Sequence, residues 1–256
     1  MIELQFLGTC ACDFSPRLKT DLKDKFDKDC RRSSALLLDG KYLIDCGVHT
    51  VESLRIAGVD TSLITDVLIT HTHLDHYNED NIKELACGRS VPLRVWLREG
   101  AQTKDLGNAD VHYTKQFKPY TIGDLSLTAI PANHDPNATP QHFIIEYKGK
   151  KLYYGCDGGW FKNESFIFLK KAGLDLAVID CTVGNYDGDF RIGEHNSIPM
   201  VKMMLPSLLT TGAIKKDTKI ILSHLAPSLH ESHEKTEAIA AEFGATVAYD
   251  GMKLVL

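Results

Sequence analysis

Four side chains that can bind metal ions stand within the six residues HTHLDH at positions 71–76. The run follows directly on an apolar segment, residues 67–70, which reads as a short buried strand. Alternate side chains of an extended chain point the same way, so His71 and His73 can share one ion, while the turn beyond directs Asp75 and His76 elsewhere. The motif predicts two adjacent metal positions at the C-terminal end of a strand, where open sheets place their ligands.

Three single residues further along the chain are candidates for the remaining ligands. A pair of divalent ions needs about six or seven protein groups, one of them a bridging carboxylate. His134, Asp157 and His224 each follow an apolar run that reads as a strand. Alone, each is more often a structural residue, and only the motif at 71–76 makes the three into candidates. Imidazole and carboxylate groups suit zinc, manganese and iron alike, so the ion stays open, with zinc or manganese preferred.

A β-rich framework in the first half of the chain must position the motif. A strand is predicted over residues 2–7, and residues 34–38 and 42–46 form a hairpin around Asp39-Gly40, a dipeptide that a type I′ turn favours. A strand at 67–70, a helix at 81–87 and a strand at 93–97 follow. Two further hairpins are predicted to turn at Gly123-Asp124 and at Gly149-Lys150.

The last third of the chain alternates helices and strands. Helices are predicted at 165–171, 197–209 and 234–243, and strands at 174–179, 218–222, 245–249 and 253–256. No linker, repeat or low-complexity tract divides the chain, so we expect one domain over residues 1–256. The hairpins and βα units together predict an α+β fold with four layers, in which two sheets lie inside and the helices outside.

Residues 13–32 differ from the rest because they are dense in alternating charges. Leu18, Leu22 and Phe26 recur there at helical spacing, which predicts a short amphipathic helix on the surface. The segment lies between the first strand and the hairpin. Two interpretations stay open, a solvated cover helix or a lid beside the site.

Composition limits the class of protein. Of the 256 residues, 43% are hydrophobic and 25% charged, which is typical of a globular protein and excludes disorder, collagen and coiled coil as the main description. The net charge is -5, so no general positive field attracts a long nucleic acid. The chain shows no signal peptide and no run of 18 apolar residues, which predicts a cytoplasmic protein without a membrane partner. Seven cysteines, an odd number, argue against a disulfide framework.

The metal motif and the single ligand candidates, in this order, resemble the metallo-β-lactamase superfamily across nearly the whole chain. The FLGT run at 6–9 and the LIDCG run at 43–47 support the likeness. The resemblance implies an αββα sandwich with two metal sites, and Asp45 as a residue that braces the metal loop. The implied ligands are His71, His73 and His134 for the first ion, Asp75, His76 and His224 for the second, and Asp157 as the bridge.

Within the superfamily, the sequence resembles the PhnP-type phosphodiesterases, a branch related to the tRNA-processing endonuclease Z. The likeness rests on Gly8-Thr9 followed by cysteines, on Asp180-Cys181 at the end of a strand, and on the GEHN run at 193–196. In that branch a histidine at the position of His195 is the general acid for the leaving alkoxide. The resemblance therefore implies that His195 is catalytic.

The chain departs from this branch at the structural zinc site. The branch uses three closely spaced cysteines and a histidine soon after the last metal ligand. Here only Cys10 and Cys12 are close together, Cys30 is distant, and Pro227 stands where the histidine is expected. An additional structural zinc on Cys10 and Cys12, completed by Cys30 or His230, is therefore the weaker interpretation.

A dinuclear site with a bridging carboxylate predicts hydrolysis. Two ions lower the pKa of a shared water from about 15.7 toward about 7, which supplies a bridging hydroxide at neutral pH and stabilises charge on phosphoryl oxygens. Asp75 could orient that hydroxide and His195 could protonate the leaving oxygen. The sequence thus predicts a metal-dependent phosphodiesterase that acts on a small substrate such as a cyclic nucleotide or cyclic sugar phosphate. A homodimer is left open.

Four rival functions remain. The nearest is a hydrolase of a lactone, thioester or β-lactam, because the same fold supports both chemistries. A tRNA-processing endonuclease is less favoured, since the chain is acidic and lacks an inserted basic arm rich in Gly and Pro. A di-iron redox protein of this superfamily carries Glu at the position of His73. A metal-bound module without activity is disfavoured because seven ligands with open coordination positions are typical of catalysis.

Overall fold

Fourteen strands and five α-helices make up the computed structural model, which describes residues 1–256. The strands in chain order are β1 Glu3–Gly8, β2 Ala35–Leu38, β3 Tyr42–Ile44, β4 Asp66–Leu68, β5 Leu93–Arg98, β6 Ala109–Thr114, β7 Pro119–Ile122, β8 Leu125–Pro131, β9 Gln141–Tyr147, β10 Lys150–Gly155, β11 Leu174–Asp180, β12 Ile214–Ser223, β13 Ala245–Val247 and β14 Lys253–Val255. The helices are α1 Thr50–Ile56, α2 Glu79–Ala86, α3 Asn163–Leu169, α4 Ile198–Thr210 and α5 His233–Ala241. None of them combines the length and the hydropathy that crossing a membrane requires.

The chain divides into two compact units, each with its own sheet. The first unit comprises Met1–Lys115, Asn137–Thr139 and Tyr249–Leu256, and the second comprises Gln116–Pro136 and Pro140–Ala248. Each unit holds one seven-stranded sheet that mixes parallel and antiparallel pairs. This composition confirms the α+β class. The single domain over 1–256 stays a prediction.

The sheet of the first unit runs in the order β14-β1-β2-β3-β4-β5-β6. The predicted hairpin joins β2 to β3, and its turn residues Asp39 and Gly40 have φ angles of 47° and 66°, as a type I′ turn requires. Strands β3 to β6 are parallel, with Ile44 paired to Leu68. Because β3 and β4 end side by side, the residues that follow them come to the same edge of the sheet.

The sheet of the second unit runs in the order β13-β12-β11-β10-β9-β8-β7. Hairpins join β7 to β8 and β9 to β10, and β10 to β13 are parallel. The second hairpin turns at Lys148-Gly149, one residue earlier than predicted, because Tyr147 pairs with Lys150. The register pairs Gly155 with Ile179 and Asp180 with Ser223, so β10, β11 and β12 end at one edge.

An apolar core supports each sheet. In the first unit, Leu43, Val67 and Val95 pack with Leu54 of α1 and Ile82 of α2. A corresponding cluster in the second unit joins β10 to β13 to helices α3, α4 and α5. Buried β-branched and leucine side chains at these positions fix the strand registers, since a slip of one residue would turn apolar side chains to the other face. Helix α1 and strand β6 are elements that the sequence pattern did not reveal.

The predicted amphipathic helix over residues 13–32 is wrong. Only a short 3-10 helix, Pro16–Lys19, forms there. The reason is the fully buried side chain of Arg32, whose Nη2 donates to the carbonyls of Leu22 at 2.6 Å and Lys23 at 3.4 Å and whose Nη1 donates to that of Lys25 at 3.1 Å. The Leu22 carbonyl also accepts from the backbone N–H of Lys25 at 3.4 Å, which is a turn contact and not the i to i+4 bond of an α-helix. Leu18 and Leu22 are buried as the spacing suggested.

We expect Arg32→Met to destabilise the protein by about 3 kcal/mol, because it leaves the carbonyls and the carboxylate of Glu52, 2.9 Å from Nη2, without their donor. Urea unfolding measures the change. Arg55→Met is the matched control, since Arg55 and its partner Glu84 lie 3.7 Å apart and are 73% and 60% exposed. The control should cost less than about 1 kcal/mol. Equal losses would show that the burial of Arg32 contributes nothing.

Candidate functional site

The predicted metal motif lies in the loop that follows β4. His71 is 2% exposed, and its Nε2 lies 3.1 Å from Nδ1 of His73. Two imidazole nitrogens that bind one tetrahedral zinc at about 2.0–2.1 Å lie about 3.3 Å apart. The spacing therefore fits two ligands of one ion, as the alternation of side chains predicted. The hydroxyl of Thr70, 3.1 Å from Nδ1 of His71, contacts the other side of the ring.

Asp45 follows β3 and forms hydrogen bonds with two residues of the segment that carries the metal motif. One carboxylate oxygen accepts a hydrogen bond from the backbone N–H of Thr70 at 2.8 Å, and the other accepts one from Nδ1 of His76 at 2.8 Å. All three residues are buried. Because Nδ1 carries the shared proton, Nε2 of His76 is left as the nitrogen that can bind a metal. The predicted bracing role of Asp45 agrees with this geometry.

Asp75 lies beside His76, with one carboxylate oxygen 3.4 Å from Nε2. Burial alone would lower the pKa of His76, but the carboxylates of Asp75 and Asp45 outweigh it and raise that pKa well above its usual value. The loop passes so close to β3 that a Cβ at Gly47 would lie 1.8 Å from the carbonyl oxygen of Asp75. Glycine at position 47 is what admits this approach.

Asp157 is the central ligand candidate of the second unit. It follows β10 in the left-handed region, with a φ of 59°, and is 3% exposed. Its Oδ1 lies 3.4 Å from Nδ1 of His134, and its Oδ2 lies 3.5 Å from Nε2 of His224. The two oxygens of one carboxylate thus face two different imidazoles. A bridging carboxylate requires this arrangement, in which each oxygen is available to a separate ion.

His224 is oriented by Asp180 and Thr182, which follow the neighbouring strand β11. Nδ1 of His224 lies 3.0 Å from a carboxylate oxygen of Asp180 and 2.8 Å from the Thr182 hydroxyl. Nε2 therefore faces Asp157. Burial would raise the pKa of Asp180, but hydrogen bonds and charge from His195 and His224 hold it below its usual range. In each unit, an aspartate and a threonine hydroxyl thus contact Nδ1 of one histidine. The residues are Asp180, Thr182 and His224 in the second unit and Asp45, Thr70 and His76 in the first.

His195 lies against the same two carboxylates. Its Nδ1 is 3.2 Å from Oδ1 of Asp157, 3.3 Å from Oδ2 of Asp180 and 3.2 Å from the Thr182 hydroxyl. Burial would lower the pKa of His195, but the two aspartates raise it to about 10. The side chain is 17% exposed, so solvent or a substrate can reach the ring. The structure thus brings His195 together with Asp157, as a role in the same chemistry requires.

Four residues that support the site are not identified as such by the sequence pattern. Asp180 entered only as part of a strand-ending motif, and Thr182 and Thr70 were not considered as hydrogen-bond partners of histidines. The sequence contains a signal for Asp180, because it ends a buried apolar strand and Thr182 supplies a hydroxyl two residues later. Asn196 is the fourth, and its backbone N–H donates to Oδ1 of Asp180 at 2.8 Å.

The cysteines give no support to a structural zinc. None of the seven forms a disulfide, and no group of three or more metal-binding side chains includes a cysteine. Cys10 is buried, which raises the pKa of its thiol well above the usual value, and its Sγ donates to the Asp13 carbonyl at 3.5 Å. Cys30 instead accepts from Nη1 of Arg17 at 3.5 Å. Cys10 and Cys30 thus have different hydrogen-bond partners, and neither belongs to a cluster of metal-binding side chains.

The double substitution Cys10→Ser and Cys12→Ser should leave the metal content and the turnover of the chain largely unchanged. These thiols belong to neither of the histidine and aspartate groups described above. Elemental analysis and rate measurements on the purified variant test this expectation. The loss of one zinc per chain, together with a lower melting temperature, would show that the structural site exists after all.

Comparisons with known proteins agree with this geometry. A family model described as a beta-lactamase superfamily domain matches residues 41–237. No curated protein matches the sequence. A diphosphatase from the PhnP family is 18% identical, with a TM-score of 0.75 over 100% of this chain and 98% of that chain. The metallo-beta-lactamase fold protein YhfI from Bacillus subtilis is 16% identical, with a TM-score of 0.74 over 99% and 98%.

The short form of human tRNase Z is 19% identical, with a TM-score of 0.68 over 99% of this chain and 98% of that chain. Identities this low show the fold and leave the activity open. The predicted metallo-β-lactamase fold is thus confirmed.

Proposed function

The chain belongs to the beta-lactamase superfamily, and from this premise we propose that it is a metal-dependent phosphodiesterase with a dinuclear site. The observation that carries the proposal is Asp157, whose two carboxylate oxygens face different imidazoles, those of His134 and His224. A single ion would need only one of these two carboxylate oxygens. The proposed substrates are small phosphodiesters, including cyclic ones.

We propose the following ligands on the residues that the superfamily pattern matches. His71, His73 and His134 hold one ion, Asp75, His76 and His224 hold the other, and Asp157 bridges the two. The spacing of His71 and His73 supports the first set. The second is supported by His76 and His224, whose Nδ1 atoms contact Asp45 and Asp180 and whose Nε2 atoms could therefore hold an ion. Zinc or manganese is the proposed ion, and iron is the next choice, because imidazole and carboxylate ligands suit all three.

The residues of the chain have separate tasks in this reaction. When bound, two divalent ions lower the pKa of a shared water toward about 7 and stabilise charge on phosphoryl oxygens. Asp75 orients the attacking water. His195, whose ring is fixed by Asp157 and Asp180, donates a proton to the departing oxygen, a role worth typically about 10² to 10⁴ in rate.

The preference for a small substrate follows from charge. A net charge of -5 provides no general field for a polynucleotide. We therefore propose a small-molecule substrate and no long nucleic acid as partner. A cytoplasmic location without a membrane partner is proposed separately, on the sequence features described above, and a homodimer is left open.

A substrate panel tests the proposed function. The chain, loaded with zinc or manganese, is assayed on bis(p-nitrophenyl) phosphate, a 2′,3′-cyclic nucleotide, a dinucleoside diphosphate, a thioester, a lactone, a cephalosporin and a precursor tRNA. We expect kcat/KM for a small phosphodiester to exceed that for any carbonyl substrate by at least about 100-fold. The Asp217→Ala variant, which changes an exposed carboxylate of the second unit, is the preparation control. Turnover of the thioester, lactone or cephalosporin alone would contradict the proposal.

A further inference from the structure

Two buried residues, His142 and Tyr153, are linked by hydrogen bonds to the main chain of Asp157. His142 is 4% exposed and Tyr153 is 3% exposed. Nε2 of His142 lies 3.2 Å from the backbone carbonyl oxygen of Asp157, and Nδ1 lies 2.8 Å from the Tyr153 hydroxyl. The three groups form a chain of hydrogen bonds that ends on the main chain of the proposed bridging ligand.

The direction of these hydrogen bonds follows from their chemistry. A carbonyl oxygen only accepts, so Nε2 of His142 must carry a proton. In the neutral ring Nδ1 is then an acceptor, and the Tyr153 hydroxyl must donate to it. Burial raises the pKa of Tyr153 well above its usual value, which keeps the phenol protonated. Tyr153 thus selects the tautomer of His142 that can hold the carbonyl of Asp157.

The backbone at Asp157 needs such a restraint. A non-glycine residue with a φ of 59° is in a left-handed conformation that costs about 1 kcal/mol or more. The next residue packs directly on the imidazole, because a Cβ at Gly158 would lie 2.7 Å from Cε1 and Nε2 of His142. The Gly158 carbonyl in turn accepts from Nδ2 of Asn196 at 3.0 Å. The turn after β10 therefore has little freedom while His142 is in place.

We infer that Tyr153 and His142 are positioning residues for Asp157, and that their hydrogen-bond chain sets the affinity with which the protein holds its metal ions. The inference rests on the proposed function, because it assumes that Asp157 is a ligand. The aspartate oxygens reach toward His134 and His224 only when the left-handed backbone carries them there. Substitution of a residue that orients a metal ligand typically lowers the metal affinity about 10- to 100-fold.

Substitutions at both positions test the inference through zinc binding, measured by competition with a chelating dye. His142→Leu removes the donor, and Tyr153→Phe removes the hydroxyl while keeping the ring. Both should bind zinc about 10- to 100-fold more weakly than the wild type. His142→Gln should stay within a few-fold, because its amide can donate to the carbonyl and accept from the phenol. Tyr154→Phe, a buried tyrosine whose side chain points to the opposite face of β10, is the matched control.

The melting temperature of the metal-free protein separates positioning from folding. Wild-type zinc affinity in both His142→Leu and Tyr153→Phe would overturn the inference, even with a lower melting temperature, since that would show a structural role only. If His142→Leu fails to fold, Tyr153→Phe decides by itself. A wild-type chain that binds zinc but hydrolyses no phosphodiester would overturn the proposed function while the weakened variants still support the inference. A wild-type chain that binds no metal would overturn both.

Discussion

Asp157→Ala is expected to lose at least one metal ion per chain and to reduce phosphodiester turnover by more than about 10³-fold. Two like-charged ions a few Å apart need shared negative charge between them, and Asp157 is the carboxylate whose oxygens face both His134 and His224. The loss of several kcal/mol of charge stabilisation corresponds to a rate decrease of this size, at about 1.36 kcal/mol for each factor of ten.

Elemental analysis after dialysis, together with kcat/KM on a good substrate, measures both effects. The Asp217→Ala variant, changed at an exposed carboxylate in the same unit, should retain the wild-type metal content and rate. Full occupancy with a normal rate in Asp157→Ala would end the dinuclear interpretation.

The second large effect is expected at His195, and it depends on the substrate. If His195 protonates the leaving oxygen, His195→Ala should slow a methyl or ribosyl phosphodiester by about 10² to 10⁴. A bis(p-nitrophenyl) ester should lose much less, because nitrophenolate departs without a proton and an alkoxide does not. The metal content should be unchanged, since His195 contacts the carboxylate of Asp157 and belongs to neither proposed set of three ligands.

Comparison of the two substrates distinguishes the roles that His195 can have. An equal loss on both would indicate a role in binding or in holding Asp157, with which its Nδ1 makes a 3.2 Å contact. No loss on either would make His195 a bystander. His195→Gln is a useful companion, because an amide can keep the contact with the carboxylates but cannot act as an acid near neutral pH.

Much of the candidate site could be predicted because its residues stand at the ends of apolar strands. His71 and His73 are close in the sequence, and the alternation of an extended chain is enough to bring them together. His224 follows β12 directly, and Asp157 lies two residues after the end of β10. The parallel register of β10, β11 and β12, which pairs Gly155 with Ile179 and Asp180 with Ser223, explains why strand ends distant in the sequence meet at one edge.

What the sequence could not give depends on contacts between distant residues. The role of Asp180 becomes visible only when β11 lies beside β12, which brings its carboxylate to His224, 44 residues away. The same holds for His142, which contacts the carbonyl of Asp157 from the neighbouring strand β9. The helix predicted for residues 13–32 is wrong for a related reason. Periodicity favours a helix there, but the side chain of Arg32 donates hydrogen bonds to the carbonyls of Leu22 and Lys25. One buried cation outweighs the local pattern.

The turn at Lys148-Gly149 shows a smaller limit. Both Lys148 and Gly149 have positive φ angles, of 48° and 73°, as a type I′ turn needs, but the sequence pattern favoured Gly149 as the first turn residue. Pairing of Tyr147 with Lys150 decides between the two registers, and this pairing is set by burial of the flanking strands rather than by the turn itself.

A titration of the metal-free chain tests the central claim most directly. The protein is stripped with a chelator, and phosphodiester turnover is followed as zinc or manganese is added in fractions of an equivalent. We expect turnover to rise until two ions are bound per chain and then to level off, because both proposed sets of ligands must be filled. Full turnover at one ion per chain, or no phosphodiester turnover with two ions bound, would contradict a dinuclear phosphodiesterase.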